Sequence, residues 1–130
     1  MATRFKIAQA ATFTADVEIP RVGGTTIKVS FEFRYRDRKA LAKLFAGWHQ
    51  AAERDQERFK QNGDEVTLID LTDAHIERQI EQVSELVVGW GFDDAFTPDA
   101  VRALVETSAG AGDAIVTAYQ NAFAVARLGN

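Results

Sequence analysis

The strongest constraint on this fold is a pair of alternating runs joined by a turn. In residues 12–19, TFTADVEI, Phe13, Ala15, Val17 and Ile19 fall on one side and Thr14, Asp16 and Glu18 on the other. A period of two is the mark of a half-buried β-strand. The next residues are PRVGG. Pro20 has no N–H for a ladder hydrogen bond, and Gly23-Gly24 supply the positive φ of a turn. Residues 25–36, TTIKVSFEFRYR, then alternate again, with Ile27, Val29, Phe31, Phe33 and Tyr35 opposite Lys28, Ser30, Glu32, Arg34 and Arg36. The pattern predicts a long β-hairpin over 12–36.

A two-stranded ribbon is marginal in water without cover. The rest of the chain must lie over its apolar face, yet both outer strands would keep unpaired backbone groups. Such edges pair with other chains. The expectation is a homo-oligomer, with Phe31, Phe33, Tyr35, Arg34 and Arg36 as the self-association candidates.

The segment after the hairpin changes period. Over 37–60, Leu41, Leu44, Phe45, Trp48, Ala52 and Phe59 approximate one helical stripe, and Asn62-Gly63 ends it. EVTLIDL (65–71) reads either as a short strand or as an extended linker. A helix capped by Thr72 or Asp70 follows, with Ile76, Ile80, Val83, Leu86 and Val87 running to the glycines at 89 and 91. Thr97-Pro98-Asp99 is a helix start: an N-cap, a proline in the first turn and an acid favoured by the helix dipole. SAGAG breaks the chain again. Asp113 then caps a last helix with the stripe Ile115, Ala118, Tyr119, Ala122, Phe123 and Ala126. The expectation is an α+β fold in one domain spanning 1–130: the hairpin at 12–36, then a helical part of about four helices at 37–130.

A chain of 130 residues with 46% hydrophobic and 26% charged side chains suits one globular core. Without cysteine it has no disulfides and no thiolate metal ligands. MATRFKIAQAATF lacks the continuous apolar stretch of a signal peptide, and no run approaches a membrane span, so an intracellular protein is expected. The net charge of −4 hides an asymmetry: residues 1–60 carry 12 Lys/Arg against 7 Asp/Glu, and residues 61–130 carry 3 against 12. Opposed halves can attract within one fold or between copies.

Chemistry-bearing patterns are sparse. His75 lies near Asp70, Asp73 and Glu77, a set that fits a solvated first helical turn better than a metal site, and His49 has no second ligand at helical spacing. Ser30, Ser84 and Ser108 lack a nucleophile-elbow context. GAGD (110–113) follows a helix rather than a strand and has no Lys-Ser/Thr after it, so capping explains it better than phosphate binding. In FEFRYRDRK (31–39) the strand period sends the aromatics away from the arginines, which splits any base-stacking platform. The acidic balance also disfavours nucleic acid. No catalytic residue, metal ligand or cofactor site is expected. A binding role leads, with Trp90, Phe92 and Phe96 as candidates for a partner surface.

The C-terminal half, IEQVSELVVGWGFDDAFTPDAVRALVETSAGAGDAIVTAYQNAFAVARLGN, resembles the tail assembly chaperones of long-tailed bacteriophages. The likeness lies in a helix ending in Trp90-Gly91, an acidic and aromatic link with Phe96-Thr97-Pro98, a short helix with Leu104, and a last helix with Ile115 and Ala118-Tyr119. It covers about residues 75–130. It implies a non-enzymatic protein of the host cell cytoplasm that binds the tape measure protein, with the tail tube protein as a second partner, and is absent from the finished virion. It also implies two lengths of product, the longer made by frameshifting near RLGN, with this chain as the shorter. The alternative is a structural tail-completion or connector protein of the particle.

Overall fold

The computed structural model describes residues 3–124. The hairpin is present, with strand β1 at Thr12–Pro20 and strand β2 at Thr26–Arg34. They pair antiparallel from Thr12 opposite Arg34 to Pro20 opposite Thr26. Gly23 and Gly24 take φ of 92° and 81° at the tip, as a tight reversal requires. Val17, Ile19, Val29, Phe31 and Phe33 are all buried. Full burial of each such side chain contributes about 1.5–3 kcal/mol.

Helix α1 runs over Arg38–Asn62, and the Asp37 carboxylate accepts from the Ala40 N–H. Gly63, at φ 54°, ends it and opens a 3₁₀ turn at Gly63–Glu65. Helix α2 follows at Leu68–Leu86. The ambiguous segment 65–71 is therefore neither strand nor long linker, since only Val66 and Thr67 are extended before the helix starts. The cap is Thr67, not Thr72 or Asp70. Thr67 accepts from Asp70 N–H while the Asp70 carboxylate accepts from Thr67 N–H, a reciprocal box that satisfies two orphan donors.

Helix α2 stops at Leu86, short of the glycines, because the next residues join the sheet. Strand β3 at Val87–Trp90 pairs antiparallel with β2, with Phe31 opposite Trp90 and Phe33 opposite Val87, across a bulge between Glu32 and Phe33. Among the described residues the sheet order is β1-β2-β3, so β3 covers one edge of the hairpin and β1 stays the outer strand of the pair.

Helix α3 spans Pro98–Thr107, capped by Thr97, whose hydroxyl accepts from Ala100 N–H. Helix α4 spans Ala111–Ala122. Its N-cap is Gly110 at φ 85°, while Asp113 lies in the first turn and accepts from the Gln79 side-chain amide. Ala126 of the expected stripe, and RLGN, lie outside the described residues. Helices α2, α3 and α4 close the core over the sheet with Val83, Leu86, Val101, Val105, Ile115 and Tyr119. Tyr119 binds the layers together: its hydroxyl donates to the Arg34 carbonyl and accepts from Arg36 Nη1. Arg36 Nη2 donates to the Glu85 carbonyl at 2.7 Å, which fixes the exit of β2 on the end of α2.

Candidate functional site

The aromatic corner begins with register. Pairing β3 to β2 sets Trp90 edge-on against Phe31, with ring centroids 6.1 Å apart. Phe92 and Phe96 then meet Trp90 edge-to-face, each at 5.0 Å. Such arrangements suit the ring quadrupoles. The indole N–H donates to the Asp94 carbonyl at 2.8 Å, so the loop closes on its own backbone. Gly91 lies where β2 runs close: a Cβ there would sit 3.4 Å from the Ser30 carbonyl oxygen. Trp90 thus packs on the sheet, against Phe31 of β2. Trp90, Phe92 and Phe96 are half-buried and together, beside a shallow hollow of about 310 Å³ reached by Arg21, Asp93 and Leu104.

The five hairpin candidates are not brought to one surface. Phe31 and Phe33 have no exposed area and belong to the core of this chain. Tyr35 is half-buried against Phe123, and Arg36 is held by Tyr119 and Glu85. Arg34 is exposed. Period two gives the face that a residue is on; it does not tell which neighbour covers that face.

The most open feature is one the spacing did not single out. From Ala52 to Arg78 no residue is buried. The segment comprises the second half of α1, the 3₁₀ turn and the first half of α2, and it forms a two-helix arm. Leu68, Ile69 and Leu71 are 79%, 71% and 46% exposed. A signal for it exists in the sequence. Ile69 continues the stripe of Ile76, Ile80 and Val83 one step beyond the core, and Leu71 falls off that stripe altogether.

Between the helices of the arm lies a cleft of about 620 Å³, walled by Phe59 and Val66 and by Asp55, Asp70, Asp73 and Glu77. Arg78 ties its inner end. It donates to Asp55 at 2.7 Å, to Glu81 at 3.0 Å and to the Ala51 carbonyl. The Asp55 hydrogen bond is the main reason the guanidinium holds its proton more tightly than usual. On the outer side Arg102 of α3 grips Glu77 with both terminal nitrogens, at 2.6 and 3.0 Å, and lowers the Glu77 pKa. Asp70 is also lowered, mainly by the N–H of Thr67. The cleft wall is thus rich in carboxylates, two of which, Asp70 and Glu77, hold their charge to lower pH than usual.

Of the two histidines, His49 pairs with Glu53 one turn on, at 2.8 Å, and His75 is exposed. Among the described residues no three His, Asp or Glu side chains are grouped as a metal site, and no helix is long and apolar enough to cross a membrane.

A family model described as phage tail assembly chaperone matches residues 1–130. No curated protein and no solved structure matches the chain.

Proposed function

The chain belongs to the phage tail assembly chaperone family, and on that premise we propose that it acts without catalysis, as a homo-oligomer in the host cell cytoplasm. It holds the tape measure protein during tail assembly and leaves before the virion is complete. The observation that carries the reading is the arm. A segment from Ala52 to Arg78 that has no fully buried residue, yet displays Leu68, Ile69 and Leu71 beside a carboxylate-walled cleft, suits an amphipathic helix with basic flanks. Trp90, Phe92 and Phe96 offer a second contact at the other side of α3, where the tail tube protein is the second partner. Self-association uses the sheet that Phe31 and Phe33 support from within, with Arg34 exposed at its end.

Co-expression with the tape measure protein tests the reading. The wild type should retain it in solution and co-purify with it. Leu68→Asp/Ile69→Asp should lose at least about tenfold in binding with an unchanged unfolding midpoint, because both side chains are already in water. Retention of full binding by that variant removes the arm from the proposal. Mass spectrometry of purified particles decides the rest: presence of the chain in stoichiometric amount would favour a tail-completion or connector protein instead.

A further inference from the structure

The hydrogen bonds of the sheet show which groups of β1 are unused. Gly91 N–H donates to the Ser30 carbonyl, so even-numbered residues of β2 turn their backbone groups toward β3. Two bonds, from Arg21 N–H to the Thr25 carbonyl and from Tyr35 N–H to the Ala11 carbonyl, bracket the hairpin with odd-numbered pairs. Antiparallel ladders alternate. On β1, therefore, Phe13, Ala15, Val17 and Ile19 bond to β2, while Thr12, Thr14, Asp16 and Glu18 aim their N–H and C=O groups out of the sheet. Among the described residues, the sheet order leaves that side of β1 without a neighbouring strand.

The residues on this edge are self-complementary in one register. When β1 runs antiparallel to the β1 of a second copy with all four rungs engaged, Thr12 opposes Glu18 and Thr14 opposes Asp16. Every carboxylate then faces a threonine, Asp16 meeting Thr14 at the two central rungs and Glu18 meeting Thr12, whose hydroxyl already donates to Glu32 of its own chain. A shift of two residues either way sets Asp16 against Asp16 or Thr14 against Thr14 and wastes a rung, and like charges directly opposite are unfavourable. The helix above the edge is compatible with this. Gly112 and Asp113 of α4 meet Gln79 of α2. Ala114 and Ala118 lie on the opposite flank, half-buried and small, where the α4 of a second copy would come alongside.

We propose that β1 pairs with the β1 of a second copy of this chain, Thr14 opposite Asp16, to form one continuous six-stranded sheet. The inference rests on the self-association in the reading above and assigns it a surface and a register. The cysteine-free chain makes a direct test clean. Residues facing each other across such a rung have Cα atoms about 5.5 Å apart, within reach of a disulfide. A mixture of Thr14→Cys and Asp16→Cys proteins should form a mixed disulfide on mild oxidation, at least about ten times faster than either variant alone.

Asp16→Pro offers a second readout. It removes an outward N–H and leaves the ladder within the chain intact, so the circular dichroism spectrum should hold. In sedimentation equilibrium the dimer dissociation constant should rise about tenfold or more, as the loss of paired hydrogen bonds predicts. If that variant does not fold, the cysteine pair decides. A wild type that stays monomeric at all concentrations would falsify the pairing. So would a dimer indifferent to Asp16→Pro, or Thr14→Cys alone crosslinking as fast as the mixture. A monomer that loses tape measure binding on Asp16→Pro would show that a client strand occupies the edge, against the second copy. An intact dimer that captures no client overturns the chaperone reading and leaves the pairing standing.

Discussion

Gln79 is a buried polar side chain in a core otherwise built of apolar groups, and its place is set by a glycine. A Cβ at Gly112 would lie 2.6 Å from Gln79 Cδ. The amide is further held by Asp113 at 3.2 Å, so it cannot swing aside freely. Gly112→Ala should therefore cost about 1 kcal/mol in urea unfolding, the overpacking outweighing the better helix propensity of alanine. In a Gln79→Ala background the same change should become neutral or stabilising by about 0.5 kcal/mol, since only the propensity gain remains. Tyr119 allows a second test at this scale. Tyr119→Phe keeps the ring among Phe13, Phe33 and Phe123. It leaves the Arg34 carbonyl and Arg36 short of a partner, and should lower stability by about 1–2 kcal/mol.

Among the elements, α2 shows how far local rules reach. Thr67-x-x-Asp70 ahead of an apolar run is a capping signature present in the sequence, but the expected cap was Thr72 or Asp70, because Leu68 and Ile69 were read as extended rather than as the first helical residues. Thr67→Ala should cost about 1 kcal/mol and speed amide exchange in the first turn of α2. The folded-state pKa of Asp70 is lowered, so its contribution is present above the ordinary aspartate value of 3.8 and is lost as pH falls through the lower folded value. Glu77, lowered by Arg102, behaves in the same way. Exchange in α2 should rise in acid below that range, and Asp70→Asn should flatten the response of the first turn. The other end of α2 was not legible. Val87 and Val88 continue its apolar run and have no alternation of their own over so short a length. Their extended form comes from pairing with β2, a contact between residues 54–59 positions apart that no local window contains. The hairpin was legible because its period persists through nine residues in each strand.

At the scale of the whole molecule, two parts differ in how they are held. The core is sealed by aromatics from β1, β2 and α4, whereas the two helices of the arm are joined by Arg78 on Asp55 and the arm is tied to α3 by Arg102 on Glu77. Arg78→Gln should speed hydrogen exchange and proteolysis between residues 52 and 66, with a loss of only about 1 kcal/mol in global unfolding. An equal loss of protection in β2 would contradict the division into core and arm. The candidate surface was also the least legible feature for a global reason. Which apolar residues remain in water depends on where the core ends, and spacing along a helix carries no information about that limit.

If the proposed client binds at the arm, the arm's thinness sets how it is held. Helix α1 alone is 25 residues long, roughly 37 Å at 1.5 Å per residue, but each arm offers only a few apolar side chains. With so little apolar area, one grip of that kind would be weak by itself. Several grips on one long chain act through effective concentration, and the second contact forms without a new encounter. The client would stay protected as a whole while any single stretch of it is let go often, and a growing polymer could take over each stretch as it comes free, without energy input to strip the chaperone away.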